Sequence, residues 1–334
     1  MKIAILKLSA LGDIIHTTFI LQFIKAKVPN VEIDWIVEEG FAPILEHNPD
    51  IHAIKTVNLK SIKKQKPLFF SEIKKIKSYA KENYDIVIDF QGLLKSAIAA
   101  RLLGNKVVGF DKKSTRESLA ALLYHKCFDI PYHDNTIDRY RLLASYALGI
   151  DISKDEVMHK KPTMHFLPHD FDVTKSFFKD DKPNVIFIIG ANWQSRIYPQ
   201  KQLLEVAKGL DANIIIPYGS QGEKEMGLWL ASKAENITLL PKMDLNALKA
   251  TISHADLLIG NDTGPSFIAW ANNVPSILLF GPTPISRVYA SKRCVTLKSS
   301  SPINPYKLNK EDFSIQEIPV KDILKHAKAL LELS

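Results

Sequence analysis

The sequence predicts an α/β protein built from two doubly wound parallel-sheet domains. Three observations predict it. Short β-branched apolar runs alternate with amphipathic runs of helical length along the whole chain. The alternation dissolves once, between about Asp151 and Pro183, and then resumes. The length of 334 residues, 46% apolar and 24% charged, suits two domains with separate cores.

In the first half, Lys2 to Leu6 reads as a buried parallel strand and Ile14 to Lys27 as a helix ended by Pro29. Glu32 to Val37 is a second strand, and Glu38 to Ala42 turns into a helix ending near Pro49. Ala53 to Val57 is a third strand, Ser71 to Asn83 a helix, and Ile86 to Asp89 a fourth strand running into Gln91-Gly92-Leu93-Leu94-Lys95-Ser96. Lys106 to Gly109 supplies another strand. Thr115-Arg116-Glu117 opens an apolar helix with Leu119, Leu122 and Leu123, and Asn135 to Leu148 is helical. The stretch with Pro162, Pro168 and Pro183 places the boundary near residue 165, giving domains 1–165 and 166–334.

In the second half the strands are Asn184 to Ile189, Asn213 to Tyr218, Ile237 to Leu240, Ala255 to Gly260 and Ser276 to Phe280. The helices are Lys201 to Leu210, Gly222 to Ala234, Leu245 to Ser253 and Phe267 to Ala271. A last helix, Lys321 to Leu331, is expected to cross back to the first domain. The expected arrangement is two Rossmann-like sheets whose ligand edges face a shared cleft.

Composition narrows the function. Cys127 and Cys294 match no metal-ligand spacing, so neither a zinc site nor a disulfide framework is expected, and a reducing compartment is implied. No apolar run approaches the roughly 18 residues of a membrane span, and the first residues pattern as a strand rather than a secretory leader. A cytoplasmic protein is expected. The net charge of +8 favours anionic partners. Much of it lies between Lys60 and Lys77, where Lys60, Lys63, Lys64, Lys66, Lys74, Lys75 and Lys77 stand with Glu72 as the sole acid. Leu68, Phe69, Phe70, Ile73 and Ile76 interleave, which suits docking on an anionic lipid surface as well as packing. No nucleic-acid-binding signature accompanies the patch.

The loops after the strands carry the candidate chemistry. Lys7 to Asp13 opens at a sheet edge, where Gly12 admits a close ligand and Asp13 falls at or near a helix N-cap; a capping role and a catalytic one are both open. The glycine fingerprints of dinucleotide-binding and P-loop proteins are absent. Asn261-Asp262-Thr263-Gly264 instead joins a strand end to a helix N-terminus, an arrangement that receives a diphosphate without a metal. Arg196, in the loop Gly190 to Pro199, reaches the same edge as a cation for a departing diphosphate or is a surface arginine. Glu223, after Pro217-Tyr218-Gly219, suits either a ribose diol or a helix first turn.

Taken in order, Lys7-x4-Gly12-Asp13, Asp34-Trp35-Ile36-Val37-Glu38-Glu39-Gly40-Phe41-Ala42, Gln91-Gly92-Leu93-Leu94-Lys95-Ser96-Ala97, Arg116-Glu117 before a helix ending at Tyr124, Pro241-Lys242-Met243, Asp262-Thr263-Gly264 and Gly281-Pro282-Thr283 resemble the bacterial lipopolysaccharide heptosyltransferases. The resemblance spans both halves and favours type I over type II. It implies a GT-B fold, an ADP-heptose donor, a Kdo-lipid A acceptor, inversion at the anomeric carbon, and no metal or other cofactor. It makes Asp13 the general base. Asn192, Arg196, Glu223, Met243, Asp262, Thr263 and Gly264 fall on donor positions. By their charge, Lys60, Lys63, Lys64, Lys95 and Arg116 suit an acceptor rich in carboxylate and phosphate, and Lys7 and Gly12 are placed with them on the acceptor side. Arg196 stands where the family has a lysine, Asn192 where it often has a threonine, and Phe267 where it has a histidine, which a phenyl ring cannot replace as a hydrogen-bonding group.

The chemistry agrees with this assignment. Inverting glycosyl transfer through an oxocarbenium-like state needs one base opposite the leaving group. Because a helix dipole keeps Asp13 ionised and weakens it as a base, positioning and diphosphate stabilisation should carry much of the rate, with proton transfer adding about 10²- to 10⁴-fold. A peripheral location on the cytoplasmic face of the inner membrane follows from the acceptor. The alternatives are heptosyltransferase II or another GT-B sugar-nucleotide transferase and, from a different class, a non-catalytic protein that binds anions or nucleic acid through the lysine patch.

Overall fold

The computed structural model describes residues 1–61, 68–304 and 306–332. It divides into two compact units, Met1–Thr163 and Met164–Ser334.

In the first unit the elements are β1 (Lys2–Leu6), α1 (Leu11–Lys27), β2 (Glu32–Glu38), a 3-10 turn (Glu39–Leu45), β3 (Ala53–Val57), α2 (Leu68–Tyr79), β4 (Ile86–Asp89), α3 (Leu94–Leu103), β5 (Val107–Phe110), a 3-10 segment (Ser118–Leu123), β6 (Lys126–Phe128), α4 (Thr136–Leu148) and α5 (Lys154–Met158). All pairings described are parallel, in the order β3-β2-β1-β4-β5-β6. β1 is buried on both faces, as expected of a central parallel strand. The order reverses between β1 and β4, so the loops after these two strands flank the crevice where doubly wound sheets take ligands.

The second unit repeats the plan with β7 (Asn184–Ile188), α6 (Gln200–Lys208), β8 (Asn213–Ile216), α7 (Gln221–Ala231), β9 (Ile237–Leu239), α8 (Leu245–Ser253), β10 (Leu257–Asn261), α9 (Gly264–Ala271), β11 (Ser276–Phe280), β12 (Cys294–Lys298) and α10 (Val320–Leu331). Its parallel order, β12-β11-β10-β7-β8-β9, puts the switch point between β7 and β10. Helix α10, expected to cross back, places Ile323, Ala327 and Leu330 in the core of this second unit, beside Leu203, Val206 and Ile318.

One expectation is corrected. The apolar helix after Glu117 is a short 3-10 segment that buries Ala120 and leaves Leu119 and Leu122 exposed. The edge strands β6 and β12 are additions to the expected elements: β6 is three residues long and mostly exposed, and β12 is partly buried along most of its length.

Candidate functional site

The first unit holds the loop between β1 and α1 from three directions. Gln91 Oε1 accepts from both the Leu8 and Ser9 amides at 3.1 Å. Trp35 Nε1 donates to the Lys7 carbonyl at 3.2 Å, and the Glu38 amide to the Leu8 carbonyl at 3.2 Å. Lys7, expected among the acceptor contacts, is instead buried; its ammonium donates to the Phe90 carbonyl at 2.9 Å and to the Tyr140 hydroxyl at 2.7 Å. It therefore ties the β1 and β4 loops to α4. Gly12 and Asp13 follow in the first turn of α1, both partly exposed. Ala10 is the N-cap, and Asp13, at the third helical position, accepts from the Ala10 amide at a long 3.4 Å.

The neighbouring loop is built on Asp89, at the end of β4. It accepts from the Gln91 and Gly92 amides, from Ser96 Oγ at 2.7 Å and from the Tyr124 hydroxyl at 2.8 Å. Burial pushes the Asp89 carboxyl above its ordinary range, against hydrogen bonds that favour the charged form; burial and this carboxylate together raise Tyr124. Gly92 takes a φ of +66°, a conformation that glycine adopts without strain, and its carbonyl accepts from Thr115. The Leu94 amide donates to Glu117 at 2.7 Å, so the segment carrying exposed Arg116 is docked onto the start of α3.

Sequence reasoning assigned no role to Glu38. This buried carboxylate ends β2, with Lys95 Nζ 3.6 Å away and the Lys60 amide at 3.4 Å. Lys60 is exposed, its ammonium 4.3 Å from the centre of the Phe41 ring. Lys60 and Lys95 thus share one edge of the sheet. Lys63 and Lys64 lie outside the described residues.

In the second unit Asn261, buried at the end of β10, shapes the β7 loop: its amide donates to the Ile189 and Gly190 carbonyls, and its oxygen accepts from the Tyr198 amide at 3.1 Å. Asp262 follows. It is 1% exposed, and its Oδ2 lies 2.7 Å from Arg196 Nη2 in an ion pair across the switch point. The Arg196 guanidinium stands 5.3 Å from the Trp193 ring, with Lys310 Nζ 5.0 Å from the same ring. Thr263 is the N-cap of α9 but makes no side-chain cap, and Gly264 opens the helix. A cation beside the start of a helix at one strand end can receive a diphosphate, although Pro265 in the first turn offers no N–H.

Glu223, in the first turn of α7, folds back to accept from the Gly219 amide at 2.7 Å. A Cβ on Gly190 would stand 2.2 Å from its Oε1, so the carboxylate lies directly on the end of β7. Asn192 is exposed in the adjacent loop. Met243 is partly buried, and its sulfur accepts from Thr251 at 3.8 Å. Phe267 is buried in α9, so this ring packs inside the protein. Among the described residues no group of three or more His, Cys, Asp or Glu side chains is placed to hold a metal ion.

Two doubly wound units, one with a carboxylate at its ligand edge and the other with a cation at the start of a helix, have the GT-B architecture. Solved structures share the fold. E. coli heptosyltransferase WaaC with ADP-2-deoxy-2-fluoro heptose matches with a TM-score of 0.79 at 24% identity, covering 98% of this chain and 99% of that one. E. coli ADP-heptose lps heptosyltransferase II matches with a TM-score of 0.73 at 18% identity, covering 100% and 99%.

Sequence comparison sharpens the class. The family model "Glycosyltransferase family 9 (heptosyltransferase)" matches residues 73–316. The chain is 34% identical to lipopolysaccharide heptosyltransferase 1 of Campylobacter coli over 99% of both chains, and 31% identical to that of Pseudomonas aeruginosa over 85% of this chain and 79% of the other. The chain belongs to glycosyltransferase family 9 and is a transferase.

Proposed function

We propose that this enzyme moves L-glycero-D-manno-heptose from ADP-heptose to Kdo of the lipopolysaccharide inner core, with inversion. The donor is taken by the second unit. Glu223 accepts from the ribose hydroxyls, Met243 lies on the adenine side, and Arg196, Asn192, Thr263 and Gly264 meet the diphosphate and heptose, with Asp262 fixing Arg196. The acceptor is taken by the first unit, where Asp13 removes the proton from the attacking Kdo hydroxyl as ADP departs.

Lys60, Lys95 and Arg116, together with Lys63 and Lys64, meet the acceptor's carboxylates and phosphates, beside backbone at Gly12. Lys7 acts one step back, by holding the loop on which Asp13 sits. The enzyme works peripherally on the cytoplasmic face of the inner membrane, where such an acceptor resides.

The observation that carries this reading is the Arg196–Asp262 pair. A cation held at a helix N-terminus by a buried carboxylate is set to stabilise charge that grows on a leaving diphosphate. Type I is favoured over type II by the type 1 relatives at 30% identity or more, spanning 85% or more of the chain. The test is transfer from ADP-heptose to Kdo-bearing lipid A, beside UDP- and GDP-sugars, with EDTA present. Inverted product from the ADP-sugar alone is expected; failure of every ADP-sugar refutes the proposal.

A further inference from the structure

The outward layer of the first unit carries apolar side chains that the fold does not cover. Helix α2 packs on α3, and α3 on the 3-10 segment Ser118–Leu123, so the three form one layer over the sheet. Their inner sides supply Ile76, Ala97, Ala100, Leu103 and Ala120 to the core. Their outer sides hold Phe70, 77% exposed, and Leu122, 79% exposed, together with exposed Phe69, Ile98 and Leu119.

Spacing explains why these residues are left out. Leu94 and Ile98 are one turn apart on α3, opposite the buried Ser96, Ala99 and Leu103, while Leu119 and Leu122 flank the buried Ala120. Phe69 and Phe70 form an edge-to-face pair with centroids 5.6 Å apart, so two aromatic rings project together from the start of α2. Scattered exposed apolar residues are ordinary, but large ones gathered on three adjacent elements mark an interaction surface.

The charges around them say what kind. Lys74, Lys77, Arg101 and Arg116 are exposed on or beside the same three elements. The acids there are engaged: Glu72 is buried and accepts from the Asn58 amide at 2.8 Å, and Glu117 accepts from Leu94. Cations therefore rim apolar side chains with little acidic counterweight, and such a face complements an anionic lipid surface, where lysine and arginine meet headgroups while leucine and phenylalanine enter the acyl boundary. The face also adjoins Lys95 and Arg116, which the proposed function places at the acceptor. No helix among the described residues is long and apolar enough to cross a membrane.

We infer that the outer side of α2, α3 and the Ser118–Leu123 segment is the surface by which this chain docks onto an anionic bilayer. The inference rests on the proposed function for the side of the molecule that meets lipid, but its test needs no sugar. Full-length wild type is sedimented with vesicles of phosphatidylglycerol and phosphatidylethanolamine that contain no glycolipid, beside vesicles of phosphatidylcholine. Wild type is expected to bind the anionic vesicles, and Phe70→Ser with Leu122→Ser to bind at least tenfold less, at unchanged melting temperature. Lys74→Gln with Lys77→Gln is expected to weaken binding and flatten its salt dependence.

Transfer to an acceptor stripped of its acyl chains should stay within twofold for the Phe70→Ser/Leu122→Ser variant. If that transfer fails in wild type while vesicle binding follows the expected pattern, the catalytic proposal falls and the docking face stands. Wild-type binding that ignores both pairs of substitutions overturns the inference. So does a wild-type dimer, without lipid, that the apolar substitutions convert to monomer, since the face would then belong to a second copy of the chain.

Discussion

Replacing Gly190 by alanine tests the donor site with a single methyl group placed beside no proposed catalytic atom. The new Cβ would stand 2.2 Å from Oε1, 2.3 Å from Cδ and 2.7 Å from Cγ of Glu223. All three atoms belong to the end of a flexible side chain, so the carboxylate turns away and the strand stays in place. Its hydrogen bond from Gly219 would be lost, but that amide is exposed and water can replace the acceptor. Stability should therefore change by less than about 1 kcal/mol. Binding should suffer far more. A charge-assisted hydrogen bond contributes about 1.5–3 kcal/mol, so removing Glu223 from the ribose weakens donor binding by roughly 10- to 150-fold. The loss should appear in the donor KM, with kcat nearly kept, because the ribose is bound alike in the ground and transition states. Calorimetric titration with ADP, beside initial rates at saturating acceptor, measures both. A variant that folds, shows Glu223 displaced and binds ADP like wild type would refute the ribose assignment.

Asp13→Asn should lower kcat by about 10²- to 10⁴-fold with ADP affinity within twofold, since the amide keeps the shape and loses the base; stopped-assay rates and calorimetry decide it. Arg196→Met should destabilise the protein by about 3–5 kcal/mol in urea melts, because it strands the buried Asp262 carboxylate, and adding Asp262→Asn should restore much of that without restoring turnover. Hydrogen bonds from Lys2 and then Lys55 hold the Glu82 carboxyl down at about 2, so the stability it contributes is present above about 4.5 and is lost as pH falls toward about 2. Urea melts across that window should show the loss in wild type and a flatter profile in Glu82→Gln.

The fold was legible wherever a strand is buried on both faces. β1, β4 and β11 have the bounds that composition and punctuation predict, because continuous apolar runs between turn residues leave no other economical reading, and the edge strand β3 and helix α8 match their expected bounds as well. The edge strand β6 was not, since it has three residues of which Lys126 and Cys127 are exposed, and β12 was likewise missed. The segment after Glu117 misled for a related reason. Leu119, Leu122 and Leu123 look like a core-facing stripe, but Ala120 is what the unit buries.

The site divides along a different line, between chemistry local to one loop and chemistry assembled by strand order. Asp13, Glu223 and Asp262-Thr263-Gly264 each sit where a strand end meets a helix start, and helix polarity alone marks such positions for anions or their partners. Gln91 meets Leu8 from 83 positions away, and Asn261 reaches Tyr198 across 63, because the switch points bring β1 beside β4 and β7 beside β10. Nothing along the chain encodes those neighbours until the sheet order is known. Lys7 shows the cost of not knowing it. From sequence it is a cation one loop away from the proposed base and belongs with the acceptor contacts; with β4 and α4 beside it, the same ammonium becomes the peg that fixes the loop. Lys7→Met should therefore lower kcat through a displaced Asp13 and also lower stability, whereas neutralising exposed Lys60 or Arg116 should raise the acceptor KM and leave the melting temperature alone.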